Sequence, residues 1–195
     1  MDVKSAIEIR RAYRSLVPVE ITPQLIDDLA CCAQLAPSCF NKQPWRYIFV
    51  YSPEMLTAMK QVFKTGNEWC YADSLIIAVI SKPELDCRMK DGREYYLFDV
   101  GMATFALILR ATELGLVAHP IAGYFPEKVR EVLGIPVEWN VITLVNVGKH
   151  DEKISPVLDA QQIIDEGQRP PRKPLDEFVH HNRFKPGKSD VNPPH

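Results

Sequence analysis

The stretch APSCFNKQPW, residues 36–45, combines residue types that rarely occur together in one short segment. Two prolines restrict its backbone, and Trp45 supplies a large apolar anchor at its end. Between the prolines lie the hydrogen-bonding side chains of Ser38, Asn41 and Gln43. Rigid loops that present polar groups in this way suit recognition of a flat polar ring, although a purely structural turn can have the same composition. The stretch therefore predicts either a binding loop or a rigid turn.

Regular elements are predicted on both sides of this loop. Before it, Thr22 and Pro23 are typical of a helix start, and apolar residues follow at helical spacing until Pro37. After it, residues 47–51 are rich in β-formers and predict a strand. Further helices are predicted over residues 3–14, from Pro53 to a stop at Gly66, over 93–114 and over 126–133, and further strands over 75–80 and 141–147. The pattern predicts an α+β fold in which the helix over 93–114, with Phe98 and Phe105, is buried nearly all round.

Three arginines, Arg10, Arg11 and Arg14, lie within one turn of the first predicted helix. Like charges at this spacing destabilise a helix, so an anion is expected among them. A phosphate monoester is the best candidate, because its oxygens match the planar guanidinium fork. A solvated basic face is the alternative interpretation of the same residues.

Composition narrows the class of protein. The chain has 195 residues and a formal net charge of -2, which gives no general attraction to nucleic acid. Asp2, Lys4 and Glu8 replace the apolar core of a secretory signal, and the most apolar run is too short for a membrane span. The five cysteines lack paired metal-type spacing, so reduced thiols are expected, with no metal site. A cytoplasmic protein is expected.

The composition changes after Gly148, where prolines accumulate. Apolar residues such as Leu175, Phe178 and Phe184 make this tail too apolar to lie free in water. A second copy of the chain is the expected surface for it, since symmetric homodimers are the commonest assembly. The chain is therefore expected to form a single domain over residues 1–195, with 149–195 as an extension that wraps the partner subunit.

At this point the chain resembles the nitroreductase family of FMN-dependent oxidoreductases. The loop over residues 36–45 matches the family pattern Ala-Pro-Ser-x-x-Asn-x-Gln-Pro-Trp, and residues 10–14 match its opening arginine motif, with Ala12 in place of serine. The remaining family features follow in order along the chain. They are Asn67 before Trp69, Asp99-Val100-Gly101, Leu114-Gly115-Leu116, His119 to Tyr124, and Arg172-Lys173-Pro174-Leu175 with Phe178-Val179.

The resemblance implies a cofactor site built from several segments. In the family, the FMN phosphate is held by residues that correspond to Arg10, Arg14 and Arg172, with Arg11 beside them and Ala12 within the motif. Ser15 is a candidate to replace the hydroxyl that Ala12 lacks. The resemblance also implies that the loop with Pro37, Ser38, Cys39 and Asn41 contacts the flavin of the other subunit. It implies that Asn67 hydrogen-bonds the pyrimidine edge of the flavin, and that a backbone N–H for the reactive ring nitrogen comes from the segment Pro120, Ile121, Ala122 and Gly123.

What the resemblance implies about fold and reaction completes the prediction. The fold is a central, mainly antiparallel sheet flanked by helices, with the C-terminal extension exchanged in a homodimer. NADH or NADPH delivers a hydride through FMN to a nitroaromatic, a quinone or a similar small acceptor in a ping-pong reaction, and no catalytic side chain is required. His119 is a possible proton donor, although a histidine satisfied by backbone is the preferred interpretation. Two alternatives stay open: a different redox reaction on the same flavin fold, such as dehalogenation, and a non-catalytic protein that binds FMN or another phosphorylated ligand.

Overall fold

A computed structural model describes residues 1–186 of the chain. The predicted extension covers residues 149–195, and its last part, residues 187–195, lies outside the described residues. The helices are α1 Val3–Ile9, α2 Pro23–Gln34, α3 Pro53–Met59, α4 Tyr95–Glu113, α5 Pro126–Leu133 and α6 Ala160–Gly167. The strands are β1 Leu16–Val17, β2 Arg46–Val50, β3 Leu75–Ser81, β4 Val117–Ile121 and β5 Asn140–His150. Short 3₁₀ helices occupy Cys39–Asn41, Lys60–Val62, Glu68–Ala72, Pro83–Leu85 and Leu175–Glu177.

Strand β5 is the centre of the sheet. It pairs antiparallel with β3 on one edge, where Ile77 faces Val145, and with β4 on the other, where Ala118 faces Val147. Strand β2 continues the sheet beyond β3, and the short β1 pairs with the last residues of β5. Every strand pair in the described residues is antiparallel, and helices cover the sheet. The predicted α+β fold with an antiparallel sheet is confirmed.

The continuous aliphatic run of β3 explains how both faces of the sheet are buried. All seven residues of β3 are buried, because alternate side chains enter two different cores. Ile77 lies in the core that contains Leu29 of α2 and Leu107 of α4. Ile76 lies in the other core, with Met59 of α3 and Val129 of α5.

Helix α4 is buried on one side only. Val100 and Leu107 are buried against the sheet, whereas Phe98 is 57% exposed and Phe105 is 44% exposed. The prediction that this helix is buried nearly all round is therefore wrong for the single chain. The sequence of α4 is apolar on all sides, and the chain itself covers only one side of the helix. The outward side is therefore both apolar and exposed.

Three further differences from the predicted elements have local causes. Helix α1 ends at Ile9, not at Arg14, and Arg10 turns the backbone out of the helix with φ -54° and ψ 124°. Strand β4 was not expected, because His119 and Pro120 interrupt its β pattern. Helix α6 was not expected either, because it has eight residues and buries only Glu166. Among residues 1–186, no helix has the length and apolar character that crossing a membrane requires.

Candidate functional site

A cavity of about 110 Å³ lies where the segment after α1 meets the segment after α6. Its charged lining consists of five arginines and one aspartate, which are Arg10, Arg11, Arg14, Arg169, Arg172 and Asp165. Ala12 and Pro170 complete the wall. So many guanidinium groups around one small cavity make a site for a multiply charged anion.

Arg10 shows the electrostatic consequence most clearly. Burial lowers the pKa of its guanidinium, and the neighbouring Arg169 and Arg172 lower it further. Each of these effects disfavours the charged form, so the cluster is unfavourable by itself and an anion relieves it. Arg10, Arg14 and Arg172, which the resemblance assigns to the phosphate, thus line one cavity.

The arginines do not form a helical stripe, because the backbone beyond Ile9 is not helical. Arg11 turns toward α6, where its guanidinium donates to the carbonyl oxygens of Asp165 at 2.7 Å and Glu166 at 3.1 Å. It also lies 4.6 Å above the ring of Tyr13. Arg11 therefore stabilises the last turn of α6 while it lines the cavity.

Glu166 fixes the segment that carries Arg14. Its buried carboxylate accepts hydrogen bonds from the backbone N–H of Arg14 at 2.9 Å and of Ser15 at 3.0 Å. Nε2 of His150 lies 3.4 Å from the same carboxylate. A buried carboxylate satisfied in this way positions the arginine segment on α6.

The structure differs from the sequence prediction at two residues in or near the cavity. Arg169, which was not predicted, donates to the carbonyl oxygens of Glu8 and Arg10 and so joins the tail to the end of α1. Ser15 does not replace the hydroxyl that Ala12 lacks: it is buried outside the lining, and its Oγ accepts from the N–H of Ser155 at 2.9 Å.

Asn67 and Gly123, predicted as parts of one site, are in direct contact. The amide Nδ2 of Asn67 donates to the carbonyl oxygen of Gly123 at 2.9 Å, and its Oδ1 accepts from Nε1 of Trp69 at 3.3 Å. A Cβ placed on Gly123 would lie 2.1 Å from Asn67 Nδ2, so only glycine allows this approach. Gln162 of α6 donates to the carbonyl oxygen of Gly66 at 2.7 Å and connects this corner to the arginine cavity.

His119 is held by the protein in its neutral form. Its ring is buried and stacks on Trp69 with centroids 4.7 Å apart, while Nδ1 lies 3.1 Å from the carbonyl oxygen of Tyr13. Burial lowers the pKa of His119 to about 4, so near neutral pH its Nδ1–H donates to that carbonyl. This geometry agrees with a histidine satisfied by backbone. In the next residues, Pro120 and Ala122 are exposed whereas Ile121 is buried.

The loop over residues 36–45 is held in an unusual backbone conformation. Phe40, Asn41 and Gln43 all have positive φ angles, of 47°, 54° and 49°. Such angles are costly in non-glycine residues and persist only where neighbouring contacts impose them. Here Asp99 Oδ2 accepts from the N–H of Cys39 at 2.7 Å, and Ser38 Oγ accepts from the N–H of Gln43 at 3.0 Å.

The same loop does not line the arginine cavity of its own chain. Phe40 is 90% exposed, and none of Pro37, Ser38, Cys39 and Asn41 belongs to the described lining of that cavity. A single chain therefore assembles two parts of the predicted site, the arginine cavity and the Asn67–Gly123 contact, and leaves the loop outside them.

The residues that sequence reasoning missed belong to α6 and the segment after it: Gln162, Asp165, Glu166 and Arg169. One signal for this helix was available. Asp159 and Gln162 form a capping box, a pattern that marks a helix start. The hydrogen-bond partners of Gln162 and Glu166 lie more than 90 residues earlier in the chain, at Gly66 and Arg14. No local sequence pattern therefore pairs these residues.

Comparisons with known proteins find relatives of this chain in sequence and in fold. The sequence matches the model of the Nitroreductase family over residues 7–70 and 65–149. It is 33% identical over 152 residues to a protein of Archaeoglobus fulgidus named as an NADH dehydrogenase/NAD(P)H nitroreductase, which covers 75% of this chain and 85% of the relative.

Two solved structures have similar folds. One is described as an oxidoreductase containing FMN and aligns with a TM-score of 0.81 at 25% identity, over 96% of this chain and 95% of that one. The other, a nitroreductase of Exiguobacterium sibiricum in complex with FMN, aligns with a TM-score of 0.78 at 20% identity. It covers 93% of this chain and 98% of its own.

Proposed function

Because the chain belongs to the nitroreductase family, we propose that it is an FMN-dependent NAD(P)H oxidoreductase that acts as a homodimer. The reaction is a ping-pong transfer: NADH or NADPH delivers a hydride and leaves, and a nitroaromatic, a quinone or a similar small acceptor then uses the same space. FMN, when bound, supplies the ring that accepts and returns the hydride.

The arginine cavity carries this proposal. A phosphate monoester brings up to two negative charges and three acceptor oxygens, which suit a lining of five arginines and one aspartate. Burial, and after it the neighbouring Arg169 and Arg172, lower the pKa of Arg10, so an anion in the cavity would favour its charged form. The residues present therefore fit the phosphate end of FMN.

Each part of the chain has a role in binding and orientation. Arg10, Arg14 and Arg172 bind the phosphate, and Glu166 of α6 holds the backbone of Arg14. Asn67, oriented by the carbonyl oxygen of Gly123, recognises the polar edge of the ring. The backbone of residues 120–123 supplies a donor for negative charge on the ring, and such preorganised donors favour the reduced state.

No side chain of the chain is needed to move a proton. His119 is next to the proposed flavin segment, but its ring is buried, neutral and bonded to backbone. The choice of acceptor then depends on the shape of the open face above the ring and not on a titrating group.

Two exposed apolar surfaces support the homodimer. Leu97, Phe98 and Phe105 form an uncovered face on α4, and in the tail Leu175 is 70% exposed and Phe184 is 69% exposed. Burying both surfaces against a second copy removes apolar area from water at about 25 cal/mol per Å². The exposed loop with Cys39 and Asn41 then completes the site of the partner.

Colour and turnover test the proposal together. The purified chain should bind one FMN per subunit, and NADH or NADPH should bleach it without oxygen. Initial rates with a quinone should give parallel double-reciprocal lines. Arg14→Ala and Asn67→Ala should each weaken FMN binding, whereas Lys90→Ala, in the exposed segment before α4, should not.

Failure to bind FMN after reconstitution would contradict the proposal outright. FMN binding without oxidation of either dinucleotide would instead support the non-catalytic alternative. Bleaching followed by dehalogenation, with neither quinone nor nitroaromatic reduced, would support a different redox reaction on the same flavin fold.

A further inference from the structure

Two cysteines far apart in the sequence meet beside a buried pair of carboxyl groups. Cys39 lies in the loop over residues 36–45, and Cys87 follows the 3₁₀ helix Pro83–Leu85. One ligand atom from each of Cys39, Asp86 and Cys87 lies within 4.8 Å of the other two. Because 48 residues separate the two thiols in sequence, their spacing shows no metal-type motif, and only the fold brings them together.

The carboxyl groups provide an independent observation at the same place. Asp86 is 7% exposed, and its Oδ2 is buried without a hydrogen-bond partner among the described residues. Its other oxygen, Oδ1, accepts from the N–H of Cys87 at 2.7 Å. An unpaired carboxylate oxygen in such a position is costly unless a proton or a cation satisfies it.

Asp99 of α4 adds a second buried carboxyl. It is fully buried, its Oδ2 accepts from the N–H of Cys39, and its Oδ1 has no partner among residues 1–186. Asp86 and Asp99 are thus two buried carboxyl groups beside Cys39, and each keeps one oxygen without a hydrogen-bond partner among the described residues.

We propose that Cys39, Asp86 and Cys87 form a binding site for a thiophilic divalent cation such as Zn²⁺. Thiolate sulfur selects Zn²⁺ over Mg²⁺ or Ca²⁺, which prefer oxygen ligands. Tetrahedral Zn²⁺ with Zn–S bonds of about 2.3 Å places two sulfur atoms about 3.8 Å apart. The ligand atoms, already within 4.8 Å, reach this geometry by a movement of about 1 Å, and water supplies the fourth ligand.

The site would connect two loops. One carries Asn41 and the strained backbone at Phe40, and the other follows Pro83–Leu85 and leads into α4. A cation that binds only the folded state stabilises it, and more strongly the further its concentration exceeds the dissociation constant, so both loops would become more rigid when it binds. This site needs no flavin, and it stands or fails independently of the proposed function.

Metal titration tests the site. Untagged, reduced protein freed of metal is titrated with Zn²⁺ in competition with a chromophoric chelator, and with Co²⁺ as a spectroscopic probe. We expect one Zn²⁺ per chain and intense Co²⁺ d–d bands at longer wavelength than flavin absorption, as tetrahedral thiolate ligation produces. Cys87→Ser should weaken Zn²⁺ binding by more than about 100-fold, since loss of an outer-sphere partner alone weakens it 10–100-fold. Asp86→Asn should weaken it as well.

Cys31→Ser is the matched control, because it removes an exposed thiol outside the cluster and should bind Zn²⁺ as the unmodified chain does. If a variant fails to fold by circular dichroism, the Co²⁺ spectrum of the unmodified protein decides alone. Absence of Zn²⁺ binding by the reduced protein would overturn the proposal. So would equal affinity in the unmodified chain and a folded Cys87→Ser. Loss of two titratable thiols in air, without Zn²⁺ binding under reducing conditions, would show a Cys39–Cys87 disulfide in its place.

Discussion

The side-chain amide of Asn67 donates a hydrogen bond of 2.9 Å to the carbonyl oxygen of Gly123, 56 residues further along the chain. The backbone N–H of Lys64 donates to the same oxygen at 2.9 Å, so this carbonyl connects two turns to the end of β4. The orientation of Asn67 therefore depends on the absence of a side chain at Gly123.

Gly123→Ala should displace the Asn67 side chain, because the new Cβ would lie 2.1 Å from Nδ2. Rotation of this flexible amide relieves the clash but breaks its hydrogen bond, at a cost of about 1 kcal/mol. We expect FMN affinity to fall about fivefold, measured by quenching of flavin fluorescence. Gly167→Ala is the control, since a Cβ there meets no atom within 4 Å. Equal affinities in the two variants would show that Asn67 does not contact FMN.

Arg172→Gln should weaken FMN binding without lowering thermal stability. Its guanidinium lines the cavity, and its hydrogen bond, of 2.7 Å, goes to the carbonyl oxygen of Pro170 in its own segment. Loss of a charge-assisted contact to phosphate costs about 1.5–3 kcal/mol, which corresponds to a loss in affinity of about 10–100-fold. Calorimetric titration with FMN and thermal melts of the apoprotein measure the two effects separately. A melt lowered as much as the affinity would contradict this assignment.

Arg11→Met should give the opposite result, because Arg11 donates to two carbonyl oxygens at the end of α6. Leaving these oxygens without their donor should lower the free energy of unfolding by about 1–3 kcal/mol. Denaturant unfolding of the apoprotein measures this loss, with Lys90→Met as an exposed control. If Arg11→Met unfolds like the control and only loses FMN, Arg11 acts as a phosphate ligand and not as a brace for α6.

Phe105→Asp should separate the proposed homodimer, because Phe105 lies on the uncovered apolar face of α4. In a twofold interface each substitution acts twice, and burial of one Phe is worth about 1.5–3 kcal/mol. The dissociation constant should therefore rise by more than about 100-fold, which sedimentation velocity measures. Val137→Asp replaces another exposed apolar residue, 84% exposed and outside α4, and should stay dimeric. If both variants sediment as the unmodified chain does, the interface lies elsewhere.

The elements that were predicted correctly are those whose information is local. The aliphatic run of β3 and the Thr22 cap with Pro23 at the start of α2 are each sufficient to predict an element. Strand β4 was missed because Pro120 cannot donate to a β-ladder and so argues against a strand in the sequence. The segment forms a strand by pairing with β5, which is distant in the chain.

The candidate site divides in the same way. The resemblance supplied the arginines and Asn67, which belong to short motifs. Glu166 was missed because its hydrogen bond to Arg14 spans 152 residues, and Asp86 because its neighbour Cys39 is distant in sequence. The outward face of α4 was misjudged because a sequence shows that a face is apolar, but not whether its own chain covers it.

His119 should make the folded state sensitive to mild acid. Burial lowers its pKa from 6.5 to about 4, so the unfolded chain takes up the proton first as the pH falls. The stability that comes from neutral His119 is complete above pH 6.5 and is lost progressively down to about pH 4. The difference between the two pKa values corresponds to about 3 kcal/mol in the free energy of unfolding. Denaturant unfolding at several pH values should show a smaller loss of unfolding free energy on acidification in His119→Gln than in the unmodified chain.

The control His181→Gln replaces an exposed histidine and should behave as the unmodified chain does. Identical pH dependence in all three proteins would mean that His119 accepts its proton in the folded state as readily as in the unfolded one.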